Sequence, residues 1–305
     1  MNSTILAAID IGSNAVRLLI NKVEVDDADY EYKKVAYLRV PIRLGEDVFT
    51  RCLVSDAKAE RLVEAMQGFC HIMRAYAVSG FRACATSAMR DAANGKTLIK
   101  TIRKKTGINI EIVSGAQEAE FISAASNPQK TLFKDETCLQ VDVGGGSTEL
   151  VVYRDQRMRF HDSFQLGTVR ILSNAVEETE KTRFARCLEN IHEEHAPTCL
   201  VASGGNINKA HKMLDKRAGE LLRFEELQAL HASLETLSFE GRMRVFGLND
   251  YRADVILPAL DIFLEIGASC PSLRGIYVPK MGLADGLIRD LHKKHMHGRN
   301  VPKDI

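Results

Sequence analysis

The chain has no C-x-x-C pair, and its seven cysteines are an odd number. That argues against a disulfide framework and a zinc site, and the thiols read as reduced, as in the cytoplasm. Charge of one sign is also lacking: 41 Lys and Arg face 40 Asp and Glu, leaving +1. Such a balance excludes a surface that coats a nucleic acid polymer, though not a small basic pocket. Long apolar runs are missing too. The longest, 255–268, is interrupted by Asp261 and Glu265, so no membrane span is expected. The first residues carry no basic n-region and soon meet Asp10, so no secretory leader is expected. No G-x-x-x-x-G-K-[ST] occurs, and GGGSTE lacks the last glycine of a dinucleotide fingerprint, which excludes a P-loop and argues against a Rossmann site. A cytoplasmic globular protein of 305 residues remains, with 45% apolar and 27% charged residues. At roughly 150 residues per domain, that length predicts about two domains.

Residues 4–20 read as strand, glycine turn, strand, and 33–44 as a further strand. Ser55 opens a long amphipathic helix, in which Leu62, Val63, Met66, Phe69, Cys70, Met73 and Tyr76 recur at three and four residues. A strand (81–86), a helix (87–93), a basic helix (97–105) stopped by Gly107 and the short strand INIEIV follow. Ser114 and Gln117 have capping-box spacing, which starts a helix with Glu118 in its first turn. Asn127-Pro128 marks a boundary, after which TCLQVDVGGGSTELVVY again reads strand, turn, strand. Asp142, Gly144 and Leu150 lie 132 residues after Asp10, Gly12 and Leu18, which points to a duplicated unit. Helices are expected at 168–176, 180–194, 222–237 and 252–267, the last kinked or started late by Pro258. LVASGGN and IYVPKMG each run from strand to glycine turn, 283–295 is a closing helix, and the last residues form a basic tail whose H-x-x-H-x-H reads as solvated.

Four glycine-bearing turns recur, at 12–14, 144–147, 203–205 and 281–282. Each is compatible with an ordinary tight turn. Their repetition favours anion binding, because glycine admits close approach and successive N–H groups form a donor nest. Centring the first hairpin on its turn pairs Asp10 with Arg17, a neutral couple. Centring the second pairs Asp142 with Glu149. Like charges directly across a ladder repel, so a cation is expected between them, either a nearby Arg or Lys or a magnesium ion. Glu118 either complements its helix dipole or serves as a base toward a bound phosphate's water. Arg90, in ATSAMRDA, is a surface residue or a clamp for phosphoryl oxygens or for Glu118. Arg252 and Asp254 read as a structural ion pair.

AAIDIGSNAVRLLI, RLGEDV (43–48), ATSAMRDAANG (85–95), IVSGAQEAEFI (112–122), VDVGGGSTEL (141–150), the Gly204-Gly205 turn and RADVILPAL (252–260) together resemble the exopolyphosphatase / guanosine pentaphosphate phosphohydrolase family, in family order over nearly the whole chain. The resemblance implies an α/β fold of two duplicated actin-like (ribonuclease H-like) lobes, each a mixed sheet with flanking helices, and an interlobe cleft. Residues 1–125 would form the first lobe, with 284–305 packed back on it, and 126–283 the second. It further implies magnesium-dependent release of terminal phosphate from a phosphoanhydride chain, with polyphosphate the first choice of substrate, guanosine pentaphosphate the second, and a homodimer possible. Carried over by motif, Glu118 is the base, Arg90 and Glu149 assist it, and Asp142, Glu149 and Asp10 are metal ligands. Ser13, Asn14, Gly144, Gly145, Gly146, Ser147, Gly204 and Gly205 cradle phosphate. Gln117 stands where the family has a first Glu, Ala15 follows Ser13-Asn14 in place of a common Ser, and VASGGNIN and LADGLIRDL depart from the family's later turns. Two other classes fit the same superfamily: an ATP-binding kinase and a non-catalytic nucleotide- or alarmone-binding protein.

Overall fold

The structure is a computed structural model and describes residues 3–26, 29–125 and 136–296. The chain divides into two compact units, Met1–Ala125 with Leu283–Ile305, and Ser126–Gly282. The boundary expected at Asn127-Pro128 lies outside the described residues, as do His297 and Arg299 of the basic tail.

The first unit opens with an antiparallel meander of β1 (Thr4–Ile11), β2 (Val16–Asp26) and β3 (Asp29–Val40). There follow α1 (Leu44–Arg51), α2 (Asp56–Ala75), β4 (Gly80–Ala85), α3 (Ser87–Asp91), α4 (Gly95–Thr106), β5 (Ile110–Ile112) and α5 (Gly115–Ala125). Strand order is β3-β2-β1-β4-β5, with β4 parallel to β1 and β5 parallel to β4. Because β1 is central, both its faces are covered, and its side chains alternate between two cores. Ala7, Ile9 and Ile11 meet Leu62, Met66 and Met73 of α2, while Leu6 and Ala8 lie in a second core on the other face.

The second unit repeats the plan. β6 (Cys138–Val143), β7 (Thr148–Arg154) and β8 (Arg157–Phe164) form the meander. α6 (Thr168–Leu172), α7 (Glu178–His195), β9 (Cys199–Ser203), α8 (Gly205–Met213), α9 (Phe224–Glu235), α10 (Phe239–Phe246), α11 (Asp250–Ala253), α12 (Ile256–Ser269) and β10 (Ile276–Tyr277) follow. Strand order is β8-β7-β6-β9-β10. Laid on the first sheet, β6 to β10 take the places of β1 to β5 with the same senses, so one mixed-sheet plan is duplicated. The last helix, α13 (Leu283–Met296), belongs to the first unit and supplies Leu283, Leu287, Ile288 and Leu291 to the core beneath Leu6 and Ala8.

Four local readings change. The strand expected to reach 44 ends at Val40, because Pro41 offers no N–H to a ladder and Arg43 is left-handed at φ 58°; Leu44 then starts α1. β8 and α10 were not expected. The 252–267 helix is two helices, with Pro258 in the first turn of α12, where a missing N–H leaves no helical bond unmade. His292 is not part of a solvated tail: it is buried in α13, with Nδ1 2.8 Å from the Tyr32 hydroxyl and Tyr30 edge-on to its ring.

Candidate active site

Both meanders turn in the same way. Gly12 donates its N–H to Ala15 O at 3.1 Å, and Gly144 donates to Ser147 O at 3.0 Å, at equivalent positions of the two copies. In each unit the segment after the third strand takes up the turn's carbonyls. Ser13 O accepts from Gly45 N at 2.8 Å, and Asn14 O from Arg43 N at 3.0 Å. In the second unit Gly144 O accepts from Thr168 N (3.1 Å), and Gly145 O from Val169 N (2.8 Å) and Arg170 N (3.1 Å). Gly146 O accepts from the Arg170 guanidinium, Nε at 2.9 Å. These backbone donors are the first N–H groups of α6, which have no partner within the helix itself. Across a planar trans peptide the N–H points opposite to the C=O. The N–H groups of Gly145, Gly146 and Ser147 therefore face away from α6, as a concave set of donors. Glycine is required at 167, where a Cβ would lie 2.4 Å from the backbone of Gly146 and Ser147.

Below this turn the register pairs Asp142 with Glu149, as the turn-centred alignment predicts, and pairs Asp10 with Arg17. The rung extends outward. Ser203 of β9 lies beside Asp142 and Ser163 of β8 beside Glu149. Ser203 Oγ donates to Asp142 Oδ1, and Ser163 Oγ to Glu149 Oε1 at 3.1 Å. Two carboxylates thus sit side by side, each held by a hydroxyl from its outer neighbour. The equivalent rung of the first unit reads Arg39, Arg17, Asp10, Cys84. Asp10, expected among the metal ligands, is there ion-paired with Arg17 at 2.5 Å, so its charge is already answered.

Glu118 occupies the first turn of α5 and is 8% exposed. The capping box forms: Gln117 N donates to Ser114 Oγ (3.3 Å) and Ser114 N to Gln117 Oε1 (3.0 Å). The helix dipole favours a carboxylate there. Gln117, in place of the family's Glu, caps the helix without adding a second charge. Arg90 is exposed and donates to Val113 O at 2.9 Å, tying α3 to the residue before that cap. At the same end of the first sheet, where Thr86 N bonds Ile11 O, the hydroxyls of Ser13 and Ser87 are buried with no hydrogen-bond partner among the described residues. A buried hydroxyl without a protein partner is met by a water, an ion or a ligand. Gly204 has φ 116° and leaves 2.7 Å between its missing Cβ and Val143 O, so it serves close packing; Gly205 O accepts from Arg252.

Sequence reasoning did not single out Ser163, Ser87, Arg170 or Gly167. A signal for the last existed: a Leu-Gly pair follows the third strand in both halves, Leu44-Gly45 and Leu166-Gly167. As for a metal, the Asp142–Glu149 pair offers hard oxygen donors and two adjacent negative charges, which suits a divalent cation such as magnesium.

A sequence model of the Ppx/GppA phosphatase family matches residues 23–295. A bifunctional 3-dehydroquinate synthase/phosphatase of Fusobacterium nucleatum is 35% identical over 199 residues, 64% of this chain and 29% of that protein. A guanosine-5'-triphosphate,3'-diphosphate pyrophosphatase of Aeromonas salmonicida is 26% identical over 302 residues, 95% of this chain. The chain spans 58% of the length of that second relative. Among solved structures, an exopolyphosphatase from Cytophaga hutchinsonii has a TM-score of 0.82 at 22% identity, covering 97% of this chain and 99% of its own. A Ppx/GppA family member from Aquifex aeolicus has a TM-score of 0.77 at 23% identity, covering 96% and 99%. At these identities the likeness is one of fold.

Proposed function

The chain belongs to the Ppx/GppA phosphatase family, and on that premise we propose that it releases the terminal phosphate of a phosphoanhydride chain by hydrolysis. The observation that carries the reading is the pairing of Asp142 with Glu149 at the foot of a turn whose amides face away from their anchor. Polyphosphate is the first choice of substrate and guanosine pentaphosphate the second, in the cytoplasm; the relatives' names support both.

In this reading the N–H groups of Gly145, Gly146 and Ser147 bind phosphoryl oxygens, and those of Asn14 and Ala15 do the same in the first unit. The hydroxyls of Ser13 and Ser87 donate to an anion bound at the first unit's turn. Positioned donors do most of the catalytic work, since phosphoryl transfer passes through a loose state whose charge lies on the equatorial oxygens. Glu118, in the first turn of its helix, accepts a proton from the attacking water. Arg90 keeps the preceding strand end in place through Val113 O and supports Glu118 from there. Asp142 and Glu149 supply carboxylates that would hold magnesium. When bound, that ion neutralises charge on the phosphate chain. Ser203 and Ser163 orient the pair for it.

The test is phosphate release from polyphosphate, guanosine pentaphosphate and ATP with magnesium present, for wild type and Glu118→Ala. Release from the first two, lowered about 10²- to 10⁴-fold in kcat by the substitution with KM little changed, is expected. Release from ATP alone indicates the kinase-like class. No release from any substrate by the wild type rejects hydrolysis.

A further inference from the structure

We propose that Arg170 is a positioning residue that aims the phosphate-binding amides of the glycine turn. The inference rests on the hydrolase reading only for the identity of the anion. The geometry behind it lies wholly within the second unit.

Three consecutive peptide planes form the turn, and each has its carbonyl anchored on the start of α6. Backbone N–H groups hold the first two, at Gly144 and Gly145. Among the described residues the third is held by a side chain: Arg170 Nε reaches Gly146 O at 2.9 Å, and Arg170 is 6% exposed. In the first unit the equivalent carbonyl, of Asn14, is held by the backbone N–H of Arg43 instead. The catalytic-looking copy has thus replaced a backbone donor by a buried guanidinium. The peptide in question joins Gly146 to Ser147, and a glycine on its N-terminal side lets that plane rotate at little steric cost. Without the Nε donor the carbonyl is free to turn outward, presenting a negative end where an anion needs an N–H. Gly167 completes the clamp, because any side chain there would strike the backbone of Gly146 and Ser147. Arg170 itself does not touch the anion in this scheme. Its effect passes through the Ser147 amide.

The substitution that isolates this role is Arg170→Gln. Glutamine places an amide nitrogen at the same ε position, so it keeps the donor and removes the charge. Arg170→Met removes both. Inorganic phosphate is the probe, titrated calorimetrically into the full chain, with amide NMR on the wild type and with KM and kcat for each variant. In the wild type, phosphate shifts the amides of Gly145, Gly146 and Ser147 first. Arg170→Met weakens phosphate binding by about tenfold and lowers kcat/KM by at least as much. Arg170→Gln restores affinity to within about threefold of wild type. A Gln variant as weak as Met assigns the role to charge and overturns the proposal, as does a Met variant that binds like wild type. Wild-type shifts that miss residues 145–147 overturn it even if the Met variant fails to fold. Phosphate binding at these amides without turnover of any substrate leaves the inference standing and rejects the hydrolase reading. Turnover with phosphate bound elsewhere does the reverse.

Discussion

Ser163 and Ser203 show how much of a site is set by residues with no chemistry of their own. Each donates to one member of the Asp142–Glu149 pair, and each is placed by strand register alone. The acid pair was legible because its residues share one hairpin and one turn centre. Ser163 was not, since RMRFHDSF lies on a half-exposed edge strand and carries no clean alternation. The equivalent rung of the first unit carries Cys84 where the second has Ser203. Burial pushes the Cys84 thiol up to about 12, and the Cys187 and Cys270 thiols up to about 11. A thiol held protonated is a poor nucleophile. With an aromatic disulfide reagent at pH 8, the exposed Cys52 is expected to react promptly, and Cys84 only after denaturation. Mass mapping of the labelled sites checks this, and early labelling of Cys84 would contradict its burial beneath the first sheet.

Helix starts carry most of the positioning at the next scale. α6 spends its first N–H groups on the glycine turn, and α5 uses a capping box to present Glu118. α2 is capped from outside. Its Ser55 makes no side-chain cap bond within the helix; instead Asp47 of α1 accepts both Ser55 N (3.1 Å) and Ser55 Oγ (2.5 Å), with Lys58 Nζ at 3.1 Å. Burial pushes the Asp47 carboxyl up, but the Ser55 and Lys58 hydrogen bonds and charge outweigh it, and the net shift is below the ordinary 3.8. A depressed folded-state value stabilises above 3.8 and loses that contribution as pH falls through the folded value. Asp47→Asn is expected to cost about 1 kcal/mol at neutral pH. Its melting temperature should converge on that of the wild type as pH drops below 3.8, which calorimetry across pH 2–7 measures. A gap that widens on acidification would reverse the assignment. The sequence placed Ser55 at this helix start from spacing alone. It could not place Asp47 there, because the expected strand stopped at 44 and residues 45–54 carried no element in that reading.

At the scale of the molecule, the first unit is discontinuous: α13 returns from the far end of the chain to lie against β1 and α5. Gly286 makes that contact possible, for a Cβ there would lie 1.9 Å from Phe121 O of α5. Gly286→Ala forces α13 and α5 apart. The expected cost to the first unit is about 3 kcal/mol, with phosphate release falling as the first turn of α5, and Glu118 with it, shifts. Differential scanning calorimetry should show the transition of the first unit lowered and that of the second unchanged, whereas equal losses in both would mean the units do not melt separately. The duplication, the two hairpin turns, the Asp142–Glu149 pairing and the capped start of Glu118's helix were all readable from residue order. Each is fixed by interactions a few residues apart, where periodicity and turn chemistry leave one register. The serines flanking the acid pair, the guanidinium behind Gly146 and the seat of α13 were decided only in the folded chain. Those contacts join residues that local patterning leaves unconnected, most of them tens to hundreds of positions apart, and no local pattern records which strand edge or helix face will meet.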